Sequence, residues 1–111
     1  MPKAIDDELN RFINEIKKIL GNRLKKVILY GSYARGDYNK DSDIDVMILT
    51  DLNEEEIIIY RRKIWDYVAD IEVDKGIVIN PILKNIEEFK SWSEVIPFYN
   101  NILKEGVIIN G

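Results

Sequence analysis

Apolar positions change period several times along the chain, and each change marks an element. In residues 4–20 they fall at Ile5, Leu9, Phe12, Ile13, Ile16, Ile19 and Leu20, the three- and four-residue spacing of a helix with one buried stripe. Asp6, Asp7 and Glu8 in the first turn and Lys17 and Lys18 near the end suit the helix dipole, and Gly21 closes the helix. Residues 25–30 and 43–50 then read as strands, with the near-continuous apolar runs of central strands covered on both faces. Helical spacing returns at Ile57, Tyr60, Ile64, Val68 and Ile71, behind an Asn53 and Glu56 capping box, and Gly76 stops it near Asp74. Ile58, Ile59 and Trp65 lie off that stripe, and second-layer packing is the favoured expectation for them over an exposed patch.

Residues 76–83 form a third predicted strand. Pro81 has no N–H for a ladder, so this strand is expected at a sheet edge or leaving the sheet there. Asn85 and Glu88 suggest a short helix through Lys90, residues 91–96 a loop carrying Trp92, and Pro97 the start of a helix ending at Glu105 before Gly106. Residues 107–109 complete the pattern as a short strand. The element order predicts an α/β fold: a small mixed sheet in the order one-two-three, flanked by the first helix and the helix over 54–74. With 111 residues, one domain spanning 1–111 is expected.

Composition narrows the chemistry. There is no cysteine and no histidine, so thiolate zinc sites, disulfides and the usual general base are excluded; catalysis would have to use carboxylates, hydroxyls, lysines or a metal. The net charge of −4 argues against nucleic acid as a general partner, and the basic clusters at 17–18, 23–26 and 61–63 read as solvated helix faces and ends. No apolar run approaches the roughly 18 residues of a membrane span, and the start lacks the apolar core of a signal peptide, so a cytoplasmic protein is expected.

The most informative stretch lies between the first two strands. Gly31 permits a sharp turn and close approach of a ligand to the backbone, and Ser32 is expected as the N-cap of a single helical turn that Gly36 ends. Free N–H groups and a hydroxyl there suit phosphate oxygens. Asp43 and Asp45, one residue apart, are expected on one face of the second strand. Like charges side by side are costly unless a cation meets them, which points to a divalent metal.

Gly31-Ser32-x-Ala34-Arg35-Gly36, five intervening residues and Ser42-Asp43-x-Asp45 resemble the signature of the polymerase-beta-type nucleotidyltransferases, specifically the minimal nucleotidyltransferases. The closing stretch from Pro97-Phe98-Tyr99 to Glu105-Gly106-Val107 is similar as well. The resemblance implies metal-dependent transfer of a nucleoside monophosphate, most simply AMP from ATP, to a hydroxyl. Asp43 and Asp45 would be the catalytic pair, holding one or two Mg²⁺ ions for which Mn²⁺ could substitute. Gly31, Ser32, Arg35 and Ser42 are the nucleotide- and phosphate-binding candidates. For Arg35, an ion pair with Asp37 or Asp41 is as reasonable as phosphate contact. The resemblance also implies an antitoxin-like role with a small helical HEPN-type toxin as partner and acceptor. Against the family pattern, the third strand has no acid where a third catalytic carboxylate is expected; Asn80 stands nearest, and Asp74 or Glu72 would serve only if the strand began earlier. That departure leaves a second function open, a binding module that neutralises its partner by contact.

Overall fold

The computed structural model describes residues 1–109. Helix α1 (Lys3–Leu20) leads through a 3₁₀ turn into strand β1 (Leu24–Tyr30), and the one-turn helix α2 (Ser32–Arg35) and a loop follow before strand β2 (Ile44–Thr50). Helix α3 (Glu54–Lys75) crosses to strand β3 (Ile79–Asn85), and helices α4 (Ile86–Ser93) and α5 (Pro97–Glu105) precede the two-residue strand β4 (Val107–Ile108). The sheet runs β3-β2-β1-β4, with β1 antiparallel to β2 and β4, and β3 parallel to β2. The mixed sheet and its one-two-three order are as the pattern predicts, with β4 added beside β1. Pro81 sits on the edge strand β3, where its missing N–H is tolerated.

The continuous apolar runs of β1 and β2 divide by strict alternation. Val27, Leu29, Val46 and Ile48 join Phe12 and Ile16 of α1 and Ile64 and Val68 of α3 in one core. Ile28, Tyr30, Met47 and Leu49 join Phe89 of α4 and Ile102 of α5 in the other. Helices thus cover both faces, which is why both strands lack a polar stripe. By the same alternation Asp45, two residues before Met47, belongs to the α4/α5 side.

The Asn53 and Glu56 capping box is present: Glu56 N–H donates to Asn53 Oδ1 at 2.9 Å and Asn53 N–H donates to Glu56 Oε1 at 3.0 Å. Four expectations need correction. Strand β3 begins at Ile79 and ends at Asn85, because α3 runs to Lys75 and residues 76–78 lead in. Asn85 caps α4 by accepting from Glu87 and Glu88 N–H, and that helix continues to Ser93, so Trp92 is helical rather than in a loop. Ser32 is the first helical residue of α2 and Gly31 takes the cap position. Finally, Ile58, Ile59 and Trp65 are 65%, 58% and 43% exposed, because the sheet meets α3 only along the Ile57, Ile64, Val68 and Ile71 stripe.

Candidate active site

The Gly31 turn is set by backbone geometry. At φ 76° Gly31 lies in the left-handed region, and a Cβ there would run into the Asp45 carboxylate. The turn and the start of β2 are therefore packed against each other at a spot where only hydrogen fits. The Gly31 carbonyl accepts from Ala34 and Arg35 N–H at 3.1 and 3.0 Å, and Gly36, at φ 86°, turns the chain out of α2. Tyr33 stacks on Tyr38 with centroids 4.7 Å apart, holding the following loop to the turn.

A cavity of about 380 Å³ opens beside this turn, lined by Tyr30, Gly31, Ser32, Arg35 and Asp45 on one side and by Phe98, Asn101, Ile102 and Glu105 of α5 on the other. The volume falls in the usual range of small-molecule sites. Four sequence-predicted residues, Gly31, Ser32, Arg35 and Asp45, are brought together here. Asp43 lies just before β2, is exposed, and lines a neighbouring depression with Ser42, Tyr33 and Ile77. Ser42 ties the loop: its Oγ accepts from Asn39 N–H at 2.9 Å and its own N–H donates to Asn39 O at 3.1 Å. The Arg35 guanidinium makes the ion pair with Asp37, Nε to Oδ2 at 3.2 Å, and reaches Glu105 at 3.8 Å while still bordering the cavity.

Asn80 stands opposite Asp45 in the parallel register and donates from Nδ2 to Asp45 Oδ1 at 3.2 Å. Glu72 and Asp74 belong to α3 and are exposed, so neither enters the third strand. The neutral amide supports the carboxylate without adding charge. Burial raises the Asp45 pKa above the usual carboxylate range; the Asn80 bond pulls it down, the Asp43 charge pushes it up and Arg35 pulls it down. Asp43 is thus close enough to repel Asp45 although it borders a separate depression. Opposite Asp45 in the strand register, the Tyr30 phenol is pushed up to about 12, first by burial and then by the Asp45 charge, so at neutral pH it keeps its proton.

These residues fit a magnesium ion by the chemistry of their donors. Two hard carboxylates, one half-buried and destabilised by its neighbour, are what Mg²⁺ takes when substrate phosphates complete its shell. Among the described residues no cluster of three or more acidic, histidine or cysteine side chains forms an all-protein cage. The α5 wall was not foreseen as part of a site. Its sequence signals are the family-like closing stretch from Pro97 to Val107 and the spacing of Phe98, Asn101 and Glu105, which puts three dissimilar side chains on one helix face.

Comparison with known proteins identifies the family. The family model for the nucleotidyltransferase domain matches residues 9–109. Two Methanocaldococcus jannaschii proteins described as putative protein adenylyltransferases are similar to the chain. One is 36% identical over 104 residues, covering 91% of this chain and 93% of its own length. The other is 39% identical over 75 residues, covering 68% and 74% respectively. A crystal structure of a toxin-antitoxin with AMP-PNP superposes with a TM-score of 0.55 at 20% identity, covering 88% of this chain and 69% of that one, and so shares the fold. With a family model spanning nearly its whole length and relatives of its own size, the chain belongs to the nucleotidyltransferase family, as a minimal nucleotidyltransferase.

Proposed function

We propose that residues 1–111 act as a single domain that transfers AMP from ATP to a hydroxyl of a protein acceptor in the cytoplasm. The acceptor is a small helical toxin of the HEPN type, for which this chain is the antitoxin. The observation supporting this most directly is the packing of the Asp45 carboxylate against Gly31, in one cavity with Ser32 and Arg35. The relatives described as protein adenylyltransferases support a protein acceptor, and the toxin-antitoxin likeness supports a toxin as that protein.

In this reading the Gly31 backbone and the Ser32 hydroxyl orient the β- and γ-phosphates, and Arg35 offsets their charge from the rim. Asp43 and Asp45 hold Mg²⁺ or Mn²⁺, which when bound neutralises phosphate charge and activates the α-phosphorus. Asn80 fixes the orientation of Asp45. The acceptor oxygen bonds to the α-phosphorus, the bond to the bridging oxygen breaks, pyrophosphate leaves and the hydroxyl proton is released. Asn80 cannot take that proton, so transfer proceeds without the general-base help that is typically worth about 10²- to 10⁴-fold.

A second reading, neutralisation by contact alone, is favoured by one observation, the amide standing in register beside Asp45 where the family pattern has an acid. Co-expression with the product of the neighbouring gene, followed by intact mass measurement of both chains, separates the two. An AMP mass on the partner, lost with Asp43→Asn or Asp45→Asn, is the expected result. An unmodified partner, bound and silenced equally by wild type and variants, would leave contact as the function.

A further inference from the structure

The outer face of α3 is used neither by the fold nor by the mechanism above. Ile58, Arg62, Trp65, Ala69 and Val73 follow one another at four, three, four and four residues, so they form one stripe along the helix, turned away from the Ile57, Ile64, Val68 and Ile71 stripe that meets the sheet. All five are exposed, and the apolar ones heavily so: Ile58 at 65%, Trp65 at 43% and Val73 at 84%. From Ile58 to Val73 the stripe runs about 22 Å at the helical rise. Charges flank it, with Arg61 and Glu72 along one edge and Asp66 along the other, to which Arg62 leans. Among the described residues none of these four makes an ion pair within the chain.

We propose that this stripe is the interface of a symmetric dimer, in which α3 of a second copy packs antiparallel to it with the two-fold axis beside Trp65. The occupant follows from self-complementarity. That axis sets Ile58 against Val73 of the second copy, Arg62 against Ala69 and the two Trp65 indoles against each other, so a long side chain lies over a small one and the aromatic pair sits at the centre. The same rotation brings each edge of the stripe to its own counterpart. Arg61 then faces Glu72 of the second copy, and the two Asp66 carboxylates, which meet near the axis, are flanked by the two Arg62 guanidiniums. Every charge at the edges thus finds its opposite in another copy of the same helix. A register centred on Ile58 would instead leave Trp65 and Val73 uncovered. Because α3 packs on the sheet face opposite α4 and α5, the pairing leaves both cavities open. One helix pair covers less than a standard interface, so the dimer is weak, with a dissociation constant of about 10 μM.

The test is analytical ultracentrifugation of the full chain from about tenfold below to about tenfold above that constant. Wild type is expected to pass from monomer to dimer. Trp65→Glu should raise the constant by about 30-fold, the scale of a central aromatic contact, while the circular-dichroism melt at high dilution stays as in wild type and reports that the variant is folded. The chain has no cysteine, so introduced thiols can read the register. Ile58→Cys mixed with Val73→Cys should cross-link under mild oxidation, since a disulfide needs Cα atoms within about 7 Å. Each variant alone should cross-link far more slowly, because antiparallel packing holds two copies of either position about 22 Å apart. A wild type that stays monomeric over the whole range, a constant that Trp65→Glu leaves unchanged, or faster cross-linking of either thiol with itself than in the mixture would overturn the proposal.

Discussion

The two walls of the cavity are built in different ways. The first is local: Gly31, Ser32, Arg35 and Asp45 lie within fifteen consecutive residues, and a strand, one helical turn and a second strand bring them together. The second is remote: Phe98, Asn101 and Glu105 arrive more than fifty residues later on a helix whose position depends on Ile102 packing under the sheet. The local wall turns on a left-handed glycine that admits no side chain, and the remote wall on the packing of Ile102 and the close approach of Gly106 at ordinary backbone angles. A reaction common to a family needs the first kind of wall, whereas the choice of substrate can be revised on the second.

The largest expected effect comes from breaking the local wall at its tightest point. Gly31→Val forces a branched side chain into a left-handed φ and against Asp45. It should cost about 2 kcal/mol of stability in urea titration and abolish ATP binding altogether. The corresponding probe of the remote wall is Gly106→Ala. Gly106 has an unstrained φ of −71°, yet a Cβ there would meet Ile28 and the Ile102 carbonyl. It should shift α5 and weaken ATP binding without abolishing it. Complete loss, as for Gly31→Val, would show that the walls are not independent.

Next comes Asn80→Asp, which places an acid beside Asp45. If the missing base limits transfer, single-turnover AMP transfer should accelerate by about 10²-fold in Mg²⁺. No acceleration would mean that the acceptor brings its own base. Ser32→Ala should be smaller, weakening ATP and tripolyphosphate alike by about 1 kcal/mol in calorimetry, the scale of one hydrogen bond. The smallest effect on the cavity is expected from Arg23, which lies at the far end of the sheet. Arg23 pairs with Glu56 at 2.9 Å and with Asp51, and its hydrogen bonds hold both carboxyls below their usual pKa. A carboxylate with a lowered folded pKa binds fewer protons folded than unfolded. Its stabilisation is full above the unfolded value, near 4, and is lost as pH falls through the folded one. Arg23→Gln should flatten that acid limb in pH-dependent thermal melts and leave nucleotide affinity unchanged at pH 7.

The same contrast explains what could be read in advance. The Gly31 turn, the two aspartates and the flanking strands were legible because their constraints act between near neighbours: a glycine where the chain must turn, and carboxylates at a strand mouth. Asn80 could be named as the residue nearest the expected acid, but its bond to Asp45 depends on the parallel register of two strands thirty-five positions apart. Asp43 lies one residue before β2 begins at Ile44, so its exposed place at the loop end could not be read from the strand pattern, yet it stands near enough to Asp45 to raise that carboxyl's pKa. The exposure of Ile58, Ile59 and Trp65 was hidden for a different reason. α3 is apolar on several sides, and a helix pattern does not say how many sides the rest of the chain will cover.

The edges of the sheet bear on how this protein can meet another. One edge is β3, interrupted by a proline; the other, among the described residues, is β4, only two residues long. Neither offers a run of unpaired backbone groups long enough to template an incoming strand. Extension of the sheet by a neighbour, whether another protein or a second copy at high concentration, is therefore disfavoured at both edges. A partner must grip side chains on the helices and loops, and such an interface can change its specificity one residue at a time without disturbing the sheet.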